Sequence, residues 1–117
     1  MRNSIFSLNT NEKPTAIGST RGIGCEWQDL KLKCPQGQNL NIVSANWGRT
    51  DAKMCGNFDS NYNTNCKSDK VEDLKKLCNN NNSCVVNASV VKFGDPCVWV
   101  SKYLGKLNIL FYLENLY

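Results

Sequence analysis

The sequence predicts a small α+β domain: a disulfide-stapled antiparallel β-sheet or sandwich with one main α-helix and long loops. Three observations predict it. Seven cysteines and no histidine in 117 residues are the composition of a domain cross-linked in an oxidising compartment. A single segment, Val71 to Cys78, carries apolar residues at helical spacing. Around it, short stretches alternate apolar and polar residues as half-buried strands do, separated by Pro, Gly and Asn.

Residues 1–22 are polar and without periodicity, which predicts a flexible leader or extension, with one domain over 23–117 and a folded unit starting near Cys25. "DLKLKC" alternates at Leu30 and Leu32, "CPQGQ" turns, and "NLNIVSANWG" resumes the alternation through Leu40, Ile42 and Ser44. Two strands joined by a Pro/Gly turn predict a hairpin. Arg49 to Asn65 is rich in Asn, Asp, Gly and Thr and reads as a long loop held by bridges. In the helix, Val71, Leu74, Leu77 and Cys78 share a face, with Ser68 or Asp69 as cap, and Glu72 and Asp73 favourably placed in the first turn. The run Asn79 to Asn82 ends it. "SCVVNASVV" is β-branched and short, so a strand is expected throughout. "KLNILFYL" is dense in apolar residues and is expected to be a central strand.

The formal net charge is +4, but both signs are interleaved, as in "KSDKVEDLKK". That is a solvated helix face rather than a nucleic-acid footprint. No Cys-x-x-Cys pair occurs and no histidine completes a zinc tetrahedron, so neither a metal nor another cofactor is expected. No apolar stretch is long enough to span a bilayer, and the first residues lack a hydrophobic signal core. Cysteine-rich yet without such a core, the chain is expected to be a domain of a longer secreted or surface protein. Sequons at Asn81 and Asn87 fit a secretory route.

Several motifs stand in a specific order: "CEW", "LKCPQGQNLNIVSANWGRTD", Cys55, Cys66, a helix ending at Cys78, "NSCVV", "FGDPC" and "KYL". This set resembles the sea urchin egg lectin-type domain, also called the rhamnose- or galactose-binding lectin domain, from about Cys25 to Leu113. Its hallmarks here are Trp47-Gly48-Arg49, Asp95-Pro96-Cys97 and Lys102-Tyr103-Leu104. Trp-Gly-Arg also names a DNA-binding domain, but nothing else in the chain supports that resemblance. The lectin resemblance implies bridges Cys25–Cys55, Cys66–Cys97 and Cys78–Cys84. Its remaining bridge would join Cys34 to a cysteine at the end of the last strand, where Leu113 stands. Cys34 is therefore expected to be a free, buried thiol, the other reading being an intermolecular disulfide.

Sugar binding in water needs preorganised acceptors and donors for paired hydroxyls. Pro96 biases Asp95 toward extended backbone, Cys97 anchors the loop, and Gly94 permits close approach. The resemblance implies that Glu26, Asp95 and Lys102 contact the sugar. Each also has a plain structural reading: Asp95 as a turn cap, Glu26 and Lys102 as surface charges or as a salt bridge to each other. Asn46 and Trp47 sit at a strand end as further candidates, Trp47 in place of the family's usual tyrosine. Arg49 is expected to brace its loop. Trp99 stands where the family usually has glycine, and an indole there would either fill or roof the pocket or stack on a sugar's C–H face. No nucleophile lies beside a general base, so no enzyme is expected. Two functional readings follow: a carbohydrate-binding domain, or a lectin-like scaffold used for protein–protein adhesion, with Trp99 as a hot spot. The expected partner is thus a glycan or a protein surface.

Overall fold

The computed structural model describes residues 15–56 and 64–114. A three-stranded antiparallel sheet has the order β1–β5–β3, built from β1 (Gly18–Cys25), β5 (Tyr103–Leu113) and β3 (Gln38–Gly48). A second, two-stranded antiparallel sheet pairs β2 (Asp29–Lys33) with β4 (Ser83–Asn87). The last strand is central, as expected of its apolar run, and Leu104, Leu107 and Ile109 on it are buried.

The hairpin expected between β2 and β3 does not form. Alternation tells which face of a strand is buried, not which strand pairs with it. The Pro35–Gln38 turn closes, with Gln38 N–H donating to the Pro35 carbonyl at 3.1 Å. The chain then leaves for the other sheet, while Leu30 faces Val86 and Leu32 faces Cys84.

The leader expected over 1–22 also needs correction. Residues 1–14 lie outside the described residues, but Gly18–Gly22 belong to β1, paired from Gly18 opposite Phe111 to Gly22 opposite Leu107. The strand shows no apolar alternation because glycines occupy its close contacts. A Cβ on Gly18 would sit 2.9 Å from the Phe111 ring, and one on Gly22 3.2 Å from Leu107.

Helix α1 (Val71–Cys78) buries Leu74 and Cys78 and packs on β3. Asp69 accepts from Val71 N–H at 3.0 Å, satisfying one first-turn donor from just ahead of the helix. The asparagine run does structural work at its end. Asn79 accepts from Ile42 N–H at 2.8 Å and donates to the Asn41 amide oxygen at 3.0 Å. Asn82 donates to the carbonyls of Cys34, Pro35 and Gln38.

The expected strand through "SCVVNASVV" is half right. It covers β4, but Val90–Phe93 form one turn of helix, α2, capped by the Ser89 hydroxyl accepting from Lys92 N–H at 3.2 Å. That cap is a local bond that β-propensity does not report.

Three disulfides, Cys25–Cys55, Cys66–Cys97 and Cys78–Cys84, match the implied pairing. Cys34 is free and buried, its thiol within reach of the Gln38 carbonyl at 3.0 Å and the Asn82 carbonyl at 3.2 Å. Burial pushes its pKa up, which keeps it a thiol.

Candidate functional site

The site is assembled where β3 ends, β5 begins and the 94–101 loop lies between them. Trp47 is completely buried. Its indole N–H donates to the Gly94 carbonyl at 2.9 Å, and its ring lies 5.5 Å from that of Phe93. It thus ties the core to the residue preceding Asp95. A Cβ on Gly48 would fall 2.1 Å from the Cys66 carbonyl oxygen, so only glycine allows the approach of these two backbones. Arg49 and Cys66 complete that approach, exchanging backbone bonds at 2.8 and 3.2 Å.

Arg49 braces its loop as expected. Buried at 0% exposure, it donates to the carbonyls of Ser101 at 2.7 Å, Asp51 at 2.8 Å and Met54 at 2.9 Å. Its guanidinium also sits 5.2 Å from the centre of the Tyr103 ring. Asn46 accepts from Ser68 N–H at 2.9 Å, ending β3 against the segment before α1. Asn46 and Trp47 are therefore placed as supports: Trp47 has no surface to offer a ligand.

Lys102 is the centre of the cluster. Only 3% exposed, its ammonium donates to Asp95 Oδ1 at 2.8 Å, the Cys97 carbonyl at 3.1 Å and the Val100 carbonyl at 2.5 Å. An ammonium has three protons, and these three acceptors take them all. Its backbone N–H donates to Glu26 Oε1 at 2.9 Å. The salt bridge considered between Glu26 and Lys102 is thus replaced: the ammonium pairs with Asp95, and Glu26 takes the main chain.

Asp95 caps its turn as well, accepting from Cys97 N–H at 3.3 Å. The hydrogen bond from Lys102 holds its carboxyl below the usual value, so it is a carboxylate at neutral pH. Each acid spends one oxygen on Lys102. Among the described residues, Asp95 Oδ2 and Glu26 Oε2 have no protein partner. One oxygen of each acid is thus open, and the two acids are joined through one lysine.

Trp99 crowns the loop that wraps the ammonium, in a turn closed by Val100 N–H donating to the Cys97 carbonyl at 3.3 Å. It is 94% exposed, so it neither fills nor roofs a pocket here. The residue that sequence reasoning passed over is Trp27. It follows Glu26 directly, is 60% exposed, and its backbone N–H donates to the Ala88 carbonyl. The signal was present in "CEW", an aromatic beside the acid. A groove of about 240 Å³ elsewhere, lined by Val43, Asn46, Asp69, Val71 and Lys106, shares only Asn46 with the predicted set. Among the described residues no group of His, Cys, Asp and Glu could hold a metal ion, and no helix is long and apolar enough to cross a membrane.

Residues 32–106 match the family model of the D-galactoside/L-rhamnose binding SUEL lectin domain. The chain belongs to the SUEL lectin family. Over 82 residues this SUEL domain is 40% identical to L-rhamnose-binding lectin ELEL-1 of Echinometra lucunter, covering 68% of the chain and 80% of that lectin. It is 37% identical over 82 residues to Latrophilin Cirl of Drosophila persimilis, covering 68% of the chain. It is 36% identical over 86 residues to Adhesion G protein-coupled receptor L1 of Mus musculus, covering 72% of the chain. The domain spans only 5% and 6% of those two receptors, so it also occurs as one small part of much longer proteins. Within the SUEL domain, Asp95 and Lys102 lie inside the matched range, while Glu26 and Trp27 precede it.

Proposed function

We propose that this SUEL domain binds a single hexose or 6-deoxyhexose of the galactoside or rhamnose type, using the free oxygens of Glu26 and Asp95 as acceptors for neighbouring hydroxyls. Lys102 holds both acids in place and neutralises one of them. The observation that carries this is the shared lysine: it fixes two carboxylates through one oxygen each and leaves the other oxygen of each without a protein partner among the described residues. Each sugar hydrogen bond contributes only about 0.5–1.5 kcal/mol net, so a shallow site works only if its groups are already in position. The domain recognises rather than transforms its ligand, and does so on the extracellular side, as part of a secreted or surface protein.

Calorimetric titration with L-rhamnose and D-galactose, with D-glucose as control, tests this. Wild type should bind at least one of the first two sugars, and Asp95→Ala or Glu26→Gln should abolish binding. Undiminished affinity in both variants would remove the site assignment. A second reading, protein–protein adhesion on the same scaffold, is favoured by one observation: Trp27, Val91, Val98 and Trp99 are all exposed apolar side chains. Under it, wild type would bind none of the sugars.

A further inference from the structure

Trp27 and Trp99 share an unusual backbone state. Their φ angles are 73° and 69°, in the left-handed region that glycine enters freely and a bulky residue enters at a cost. Both side chains are nonetheless large, apolar and turned to solvent, at 60% and 94% exposure. A fully buried indole would recover that cost through packing; Trp99 recovers almost none of it within the domain, and Trp27 only part. A strained conformation held by its surroundings and unrewarded by packing is a pointer to a function outside the fold.

Their position says which function. Glu26, immediately before Trp27, accepts from the Lys102 backbone N–H. Cys97 and Val100, on either side of Trp99, give their carbonyls to the Lys102 ammonium. Each indole therefore rides on a turn bonded to the same lysine that organises the two acids. Those turns are also fixed covalently, one through Cys25–Cys55 and the other through Cys66–Cys97. Rigid apolar plates beside a pair of fixed carboxylates match the two surfaces of a pyranose chain, hydroxyl edges and C–H faces. A protein partner would have to bring apolar pockets for both indoles and a separate donor for each open carboxylate oxygen, whereas a pyranose chain carries hydroxyl donors and C–H faces on every ring.

Resting on the monosaccharide site proposed above, we infer that Trp27 and Trp99 are stacking plates for the rings adjoining the bound sugar, so that the natural ligand is an oligosaccharide rather than a lone monosaccharide. Covering roughly 50 Å² of apolar surface under one ring corresponds to about a tenfold gain in affinity.

The test compares galactose and rhamnose with di- and trisaccharides ending in the same sugar, by titration against wild type, Trp27→Gly, Trp99→Gly and the double variant. Glycine suits both backbone positions, so these variants keep the fold, which circular dichroism verifies. Wild type should prefer the oligosaccharide by about tenfold or more. One or both glycine variants should lose that preference while keeping monosaccharide affinity. An oligosaccharide preference unchanged in the double variant overturns the inference and leaves the monosaccharide site standing. Sugar binding that appears only in the glycine variants also overturns it, because the rings would then be obstructing the site. Binding of no sugar by any form removes the site and the inference together, leaving the adhesion reading.

Discussion

Lys102→Met is the sharpest single test of how the site is built. Methionine keeps the apolar stem as far as the Cε position but removes the ammonium. Two carbonyls, of Cys97 and Val100, lose a charged donor at 3.1 and 2.5 Å in a place where the lysine is 3% exposed. At about 1.5 kcal/mol for each charge-assisted bond, the loss is about 3 kcal/mol. Asp95 faces solvent and rehydrates when its partner leaves, so it adds little. For a domain of this size, 3 kcal/mol corresponds to a Tm lower by roughly 12–24 °C. The measurement is thermal unfolding by circular dichroism with the bridges intact, beside Asp95→Asn. Both variants should lose sugar binding, but only Lys102→Met should lose much stability. A Tm within about 3 °C of wild type would show that the Cys66–Cys97 bridge alone holds the 94–101 loop, and that the buried ammonium does not.

Three further outcomes are expected. Gly48→Ala drives a Cβ to 2.1 Å from the Cys66 carbonyl, and should cost about 3 kcal/mol or more in chemical denaturation; a neutral result would mean that the β3 end and Cys66 can separate freely. Leu113→Cys should close a fourth bridge with Cys34, because Leu113 pairs with Gln38, whose carbonyl lies 3.0 Å from the Cys34 sulfur. The gain should be about 2–4 kcal/mol, and the single thiol that alkylates only after unfolding in wild type should disappear from the mass spectrum. Asp95 is depressed mainly by its hydrogen bond from Lys102. Its contribution is therefore complete above the unfolded carboxylate value of about 3.9 and is lost as pH falls through the lower folded value. Sugar affinity should stay level from neutral pH down to the ordinary carboxylate value of about 3.9 and fall only as the pH drops further. A wild-type titration curve without that acid limb would detach Asp95 from binding.

The covalent frame and the main helix were legible because their signals are local or ordinal. Val71, Leu74, Leu77 and Cys78 mark a helix by spacing alone, and cysteine order, through the family resemblance, paired six of the seven thiols. Strand partners were not legible. Leu30 and Leu32 state their face but not that β4 is their neighbour, and the glycines of β1 conceal a strand behind the absence of side chains. The candidate acids were found, but the manner of their joining was not, since it depends on a lysine reaching across the chain. That lysine explains why the loop tolerates a tryptophan where a small residue would be expected. The loop carrying Trp99 folds around an internal ammonium rather than around a ligand, so its outer side is free to carry any residue the backbone tolerates. On the proposed reading, the polar half of the site is insulated from the apolar half: Asp95 and Glu26 are held by Lys102, while Trp27 and Trp99 stand on exposed turns. In such a design the identity of the ligand can change at two exposed turns without disturbing the acids beneath them.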